Sequence, residues 1–242
     1  MSMPSAIIVG VGAEQGLGAA LCRLLADKGY HVFIASRTLE KIAKVADAIN
    51  ASGGSAEAIE TDATDEAAVK RLFEHAFAPQ DDIDPPDFIV FNAGINRHIG
   101  FRDVTAAEFE EFWRIGCFGG FLVGREAARH LVPLGRGTVI FTGASASLRG
   151  KAGFAQFAAA KAGLRMISQS MAREFGPLGL HVAHTIIDGG IDGERLRSRR
   201  PELQADALLN IDAIAETYWH IHRQHPSAWT QEIDLRPYKE TF

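Results

Sequence analysis

The chain has 242 residues, 47% of them apolar and 23% charged, which is enough for one large core and too little for two. A formal net charge of −5 sets up no field that would gather nucleic acid or an anionic membrane, so neither is expected as a partner. The two cysteines, Cys22 and Cys117, lie in helical patterns far apart in sequence and read as small core residues. No cationic leader precedes the first apolar run and no apolar stretch approaches the roughly 20 residues of a membrane span, so a cytoplasmic protein is expected.

In chain order, Ala6 to Val9 is apolar throughout, as a strand buried on both faces should be. The turn Gly12-Ala13-Glu14-Gln15-Gly16-Leu17-Gly18 follows. It opens into a segment that sets Leu17, Leu21, Leu24 and Leu25 on one helical face and stops at Gly29. Further apolar runs come at His31 to Ala35, Phe88 to Phe91, Thr138 to Phe141 and His181 to Ile187, with helical periods between them. The acidic stretch from Pro79 to Asp87 reads as an exposed connection. Alternation of this kind predicts an α/β fold. One Rossmann-like, doubly wound parallel sheet with helices on both faces spans 1–242, and ligands sit beyond the carboxyl ends of the strands. A variable segment at about 190–210 carries Arg195, Arg197, Arg199 and Arg200. It reads either as a lid over an anionic substrate or cofactor phosphate, or as a solvated helix face.

Between a strand and a helix, the glycines from 12 to 18 permit a tight turn and a close backbone approach, while free amides and the helix dipole receive a pyrophosphate. Gly12, Gly16 and Gly18, with Asp62 after the third strand and Asn92-Ala93-Gly94 after the fourth, resemble the short-chain dehydrogenase/reductase family over essentially the whole chain. The resemblance implies a nicotinamide dinucleotide. Gln15 and Leu17 then belong to the pyrophosphate turn, Asp62 and Ala63 bracket the adenine, Asn92 to Gly94 line the cleft, and Gly189 and Ile191 approach the nicotinamide. At the end of the second strand, Ser36 and Arg37 stand where an acid would favour NAD. A guanidinium pairs well with a 2′-phosphate, so NADP(H) is favoured over NAD(H). No metal is expected.

The family's Asn, Ser, Tyr, Lys tetrad is mostly absent. Lys161 fits the lysine position, which puts Phe157 at the tyrosine, Ala144 at the serine and Gly116 at the asparagine, and Asp188 replaces a proline. Phenylalanine and alanine neither protonate nor hold an alkoxide, and general acid catalysis alone is worth about 10²–10⁴ in rate. The resemblance is therefore to a divergent member. Lys161 is retained and can still hydrogen-bond a nicotinamide ribose. Ser145 and His98 are the candidate substitutes, with His184, Ser147 and Gln156 behind them. Two functions fit: an NADP(H)-dependent oxidoreductase of altered mechanism acting on a small organic substrate, or a non-catalytic dinucleotide-binding scaffold. The resemblance also implies a homodimer or homotetramer built on helices around 105–134 and 154–177. Gly119 and Gly120 would either allow close approach there or only accommodate neighbouring aromatics, and the tail from Trp229 to Phe242 would cap a subunit contact.

Overall fold

Strand β1 (Ser5–Val9) sends Ala6 and Ile8 into one apolar cluster and Ile7 and Val9 into another, and none of the four is more than 1% exposed. The same alternation recurs in β2 (His31–Ser36), where Val32 and Ile34 oppose Phe33 and Ala35. It appears again in β4 (Phe88–Phe91), where Phe88 and Val90 oppose Ile89 and Phe91. A period of two with both faces apolar is what a sheet covered on both sides requires. In this computed structural model, which describes residues 2–240, these strands join β3 (Ser55–Glu60), β5 (Thr138–Thr142), β6 (His181–Ile187) and β9 (Glu232–Leu235). The resulting seven-stranded sheet has the order β3-β2-β1-β4-β5-β6-β9, and every pairing is parallel.

Helices α1 (Leu17–Asp27), α2 (Leu39–Ala51) and α8 (Ile211–His222) bury their apolar stripes on one face of the sheet. The other face is covered by α3 (Glu66–Ala76), α5 (Gly119–Leu131) and α6 (Ala155–Phe175). The expected stop at Gly29 is explained by its φ of +84° and by its amide, which donates to the Ala26 carbonyl at 2.9 Å; this left-handed ending favours glycine. Because the chain runs outward from β1 through β2 to β3 and then returns to β4 on β1's other side, a crevice opens at the carboxyl ends of β1 and β4.

Helix α4 (Ala106–Trp113) starts with a reciprocal cap between Thr105 and Glu108 and continues into α5 through a π-turn at Arg114–Phe118. Gly119 and Gly120, expected either to open a subunit contact or to accommodate neighbouring aromatics, pack within the chain: a methyl at Gly120 would lie 2.2 Å from Leu164 Cδ1 and 3.2 Å from the Phe91 ring, and one at Gly119 would lie 3.0 Å from the Ala63 carbonyl oxygen. The tail joins the sheet, with Glu232–Leu235 lying parallel to β6; residues 241 and 242 lie outside the described residues. The segment at 190–210 holds the paired two-residue strands β7 (Ile191–Asp192) and β8 (Leu209–Asn210), with the short helix α7 (Glu194–Arg197) between them.

Candidate functional site

A cleft of about 560 Å³ lies at the carboxyl ends of the strands. It gathers Gly12, Gly16, Leu17 and Gly18 after β1, Ser36 and Arg37 at the end of β2, and Asp62 and Ala63 after β3. Asn92, Ala93 and Gly94 line it after β4, Ala144, Ser145, Phe157 and Lys161 from β5 and α6, and Gly189 and Ile191 after β6. Gln15 and Gly116 do not line it. The Gln15 carbonyl accepts the Glu194 amide at 2.9 Å, and a methyl at Gly116 would meet Ala160 Cβ at 3.0 Å. His98 also stays outside the lining, exposed and edge-on to the Phe154 ring at 5.3 Å.

The glycines shape the cleft in different ways. At Gly12 a methyl would meet nothing within 4 Å, so the missing side chain leaves open space above the turn. At Gly18 it would press on Val11 Cα at 3.0 Å and Asn92 Nδ2 at 3.3 Å, so this glycine lets the start of α1 approach β4. Asn92 secures that junction, its Nδ2 donating to the Gly10 carbonyl at 3.1 Å. Asp62 accepts from the Thr64 amide and hydroxyl through Oδ1, at 2.8 and 2.9 Å, which fixes its carboxylate at the cleft edge.

Lys161 is buried, and its Nζ donates to the Thr142 carbonyl at 2.6 Å. Burial lowers its pKa from 10.5 to about 8, because an ammonium loses hydration in the protein wall. Gly94 makes room for it: a methyl there would lie 3.3 Å from Nζ. Beneath it, His184 Nε2 lies 3.0 Å from Ser147 Oγ, and that hydroxyl also accepts the Ala144 amide at 3.1 Å. Burial, followed by the Lys161 charge, pulls His184 down to about 4. Gln156 is fully buried, and its Nε2 donates to the Arg97 carbonyl at 2.8 Å. His184, Ser147 and Gln156 thus brace the wall from behind.

Two features were not legible from sequence. Gly10, at φ +92°, lets β1 approach Ala93 so closely that a methyl would lie 2.3 Å from the Ala93 amide nitrogen. Asp188, 3% exposed, lies between Arg149 at 3.0 Å and Arg236 at 3.4 Å and so ties the end of β6 to the segment after β9. Pairing over such sequence distances leaves no local signal.

A family model described as short chain dehydrogenase matches residues 6–204. The chain is 28% identical over 181 residues to the gluconate 5-dehydrogenase of Gluconobacter oxydans, covering 75% of this chain and 70% of that protein. It is 30% identical over 202 residues to a 3-oxoacyl-(acyl-carrier-protein) reductase of Mycobacterium avium, covering 84% of this chain and 73% of the other. A crystal structure of a short-chain dehydrogenase from Rhodopseudomonas palustris superposes with a TM-score of 0.83 at 37% identity, covering 97% of this chain and 99% of that one. A metagenomic short-chain oxidoreductase in complex with NADP has the same fold, with a TM-score of 0.80 at 23% identity over 99% of both chains.

Proposed function

The chain belongs to the short-chain dehydrogenase family, and from that premise we propose that it is an NADP(H)-dependent oxidoreductase whose proton handling departs from the family's. The observation that carries this reading is the cleft itself, whose lining brings together the open glycine turn, Asp62, Asn92 to Gly94 and the buried Lys161. These groups suit a dinucleotide. The space above Gly12 admits a pyrophosphate against free backbone, the Asp62 carboxylate suits an adenine amine, and the Lys161 ammonium suits ribose hydroxyls.

Such a cofactor supplies a hydride to, or takes one from, a substrate carbon. The chain's own residues must then orient the reactants and manage a proton. Phe157 and Ala144, at the positions matching the family's tyrosine and serine, give the cleft an apolar wall with no acid on it. Ser145 lines the cleft and is assigned to hold the substrate oxygen. Lys161, brought down to about 8, is assigned as the group able to exchange a proton near neutral pH. His98, turned onto Phe154, is the weaker candidate. The gluconate 5-dehydrogenase and 3-oxoacyl reductase relatives support reaction at a secondary hydroxyl or keto carbon.

Preference for NADP rests on Arg37. It stands exposed at the cleft edge after β2, with no ion pair among the described residues, as a receptor for a 2′-phosphate would. A homodimer or homotetramer is part of the same proposal. The test pairs thermal unfolding with either cofactor against a turnover screen of ketones and alcohols followed by nicotinamide absorbance. We expect a larger upward shift with NADPH than with NADH, together with turnover of at least one ketone or alcohol. No shift with either cofactor at millimolar concentration would overturn the reading. A shift without turnover would leave a dinucleotide-binding scaffold.

A further inference from the structure

The arginines after β6 divide by direction. Arg197 pairs with both oxygens of Asp192, and Arg200 pairs with Glu202. Arg195 and Arg199, four residues apart, both line the cleft, and neither makes an ion pair among the described residues. The helical turn that sets this spacing continues past α7, with the amides of Ser198 and Arg200 donating to the carbonyls of Glu194 and Leu196 at 2.9 and 2.8 Å. Glu194 also lines the cleft but pairs with neither arginine among the described residues. Arg195 reaches across to the loop after β4, its Nη2 donating to the Asn96 carbonyl at 3.0 Å. A backbone carbonyl satisfies one N–H of that fork and leaves the charge uncompensated. Burial and the neighbouring Arg199 charge both act against the charged form of Arg195, and an anion between the two would relieve this.

We propose that Arg195 and Arg199 form a two-guanidinium site for an oxyanion, a carboxylate or phosphate group carried by a molecule held in the cleft. The inference rests on the cleft being the ligand site and deepens that reading. It gives the segment at 190–210 a chemical task. The Arg195 to Asn96 hydrogen bond closes this end of the cleft, and the anion takes up the remaining N–H groups. Two molecules can bring the anion: the dinucleotide through its diphosphate, or an organic acid or phosphate ester bound beside it.

Inorganic phosphate is the probe, titrated calorimetrically into the protein alone and into protein saturated with NADPH. The Arg195→Ala/Arg199→Ala double variant and Arg199→Ala alone are compared with wild type. Arg199→Ala leaves the Asn96 contact in place, and Arg200→Ala, paired with Glu202, is the control. We expect the double variant to bind phosphate at least tenfold more weakly and Arg200→Ala to match wild type. If NADPH displaces phosphate and the double variant also weakens NADPH and NADH equally, the site belongs to the diphosphate. Phosphate retained beside NADPH assigns it to an anionic substrate. Wild type that binds no phosphate in either state, or a double variant that binds it as tightly, overturns the inference. Failure of NADPH to bind wild type while phosphate binding still depends on Arg195 and Arg199 would instead sink the cofactor reading alone.

Discussion

Gly10 and Lys161 show how single residues set the cleft. At Gly10 the positive φ and the 2.3 Å approach to the Ala93 nitrogen combine, so a methyl meets backbone that has no rotamer with which to yield. Gly10→Ala is expected to cost at least about 2 kcal/mol, read as a lower urea midpoint; an unchanged midpoint would mean that the β1 to β4 approach relaxes freely. Lys161 carries the opposite sign. Its folded pKa of about 8 lies below the ordinary 10.5, so the unfolded chain holds the extra proton between those values. Stability therefore rises across that window, and the charge penalty is fully present below it. Lys161→Met removes the penalty. It should stabilise the cofactor-free protein at pH 7 by on the order of 1–3 kcal/mol while weakening NADPH at least tenfold, and the stability gap from wild type should close as pH rises from 8 to 10. Destabilisation at pH 7 would show that the Thr142 hydrogen bond outweighs desolvation. The turn from Gly12 to Gly18 was legible because its glycines sit between a strand and a helix. Gly10 was not, because its need for glycine comes from Ala93 in another strand.

Among the elements, β1, β2, β4, β5 and β6 announce themselves as continuous apolar runs because both of their faces are covered. Edge strands do not. In β3 the sequence Ser-Ala-Glu-Ala-Ile-Glu is half exposed, and β9 alternates Glu232 and Asp234 with Ile233 and Leu235 at the other margin of the sheet. Charge on an edge limits unwanted strand pairing, and it also hides the strand from a search for apolar runs. Beyond its ladder with β6, β9 receives a two-point contact from α6, with Arg165 Nε and Nη2 donating to Glu232 at 2.6 and 2.9 Å. Both side chains are about a quarter exposed, so the pair is worth more than a solvated one and less than a buried one. Glu232→Ala should cost about 1–2 kcal/mol and raise hydrogen exchange at β6 amides. Unchanged exchange there would separate β9 from the stability of its neighbour. The two readings of Gly119 and Gly120 stay open in the sequence for a similar reason. Small residues on a helix permit close approach, but sequence does not say to what, and here the neighbours are Ala63, Leu164 and Phe91 of the same chain.

At the scale of the whole molecule, two histidines, the buried His184 and the half-buried His222, contribute to the response to acid. Burial brings His184 and His222 down to about 4. Between roughly 6.5 and 4 the unfolded chain binds protons that the native one refuses, so stability present above 6.5 is lost as pH falls through that range. Each contributes on the order of 2–3 kcal/mol. The denaturation midpoint should fall steeply there in wild type and less steeply in His222→Gln, and parallel profiles would remove His222 from the account. The proposed assembly also belongs to this scale. The expected helices present aromatic surface to solvent, with Phe109 41%, Trp113 40% and Phe121 41% exposed. Trp113 stacks on Phe118 at 5.7 Å and Phe118 on Phe121 at 6.3 Å, while Arg114 and Arg125 lie over the Phe118 and Phe121 rings. Contiguous aromatic surface with flanking guanidiniums has the composition of an interface core. Phe121→Glu would place a carboxylate there without touching the cleft lining, so it should halve the mass measured by light scattering while leaving NADPH affinity intact. A monomeric wild type, or a variant of unchanged mass, would assign this surface some other use. Loss of NADPH affinity together with assembly would show that the partner subunit helps to hold the cleft.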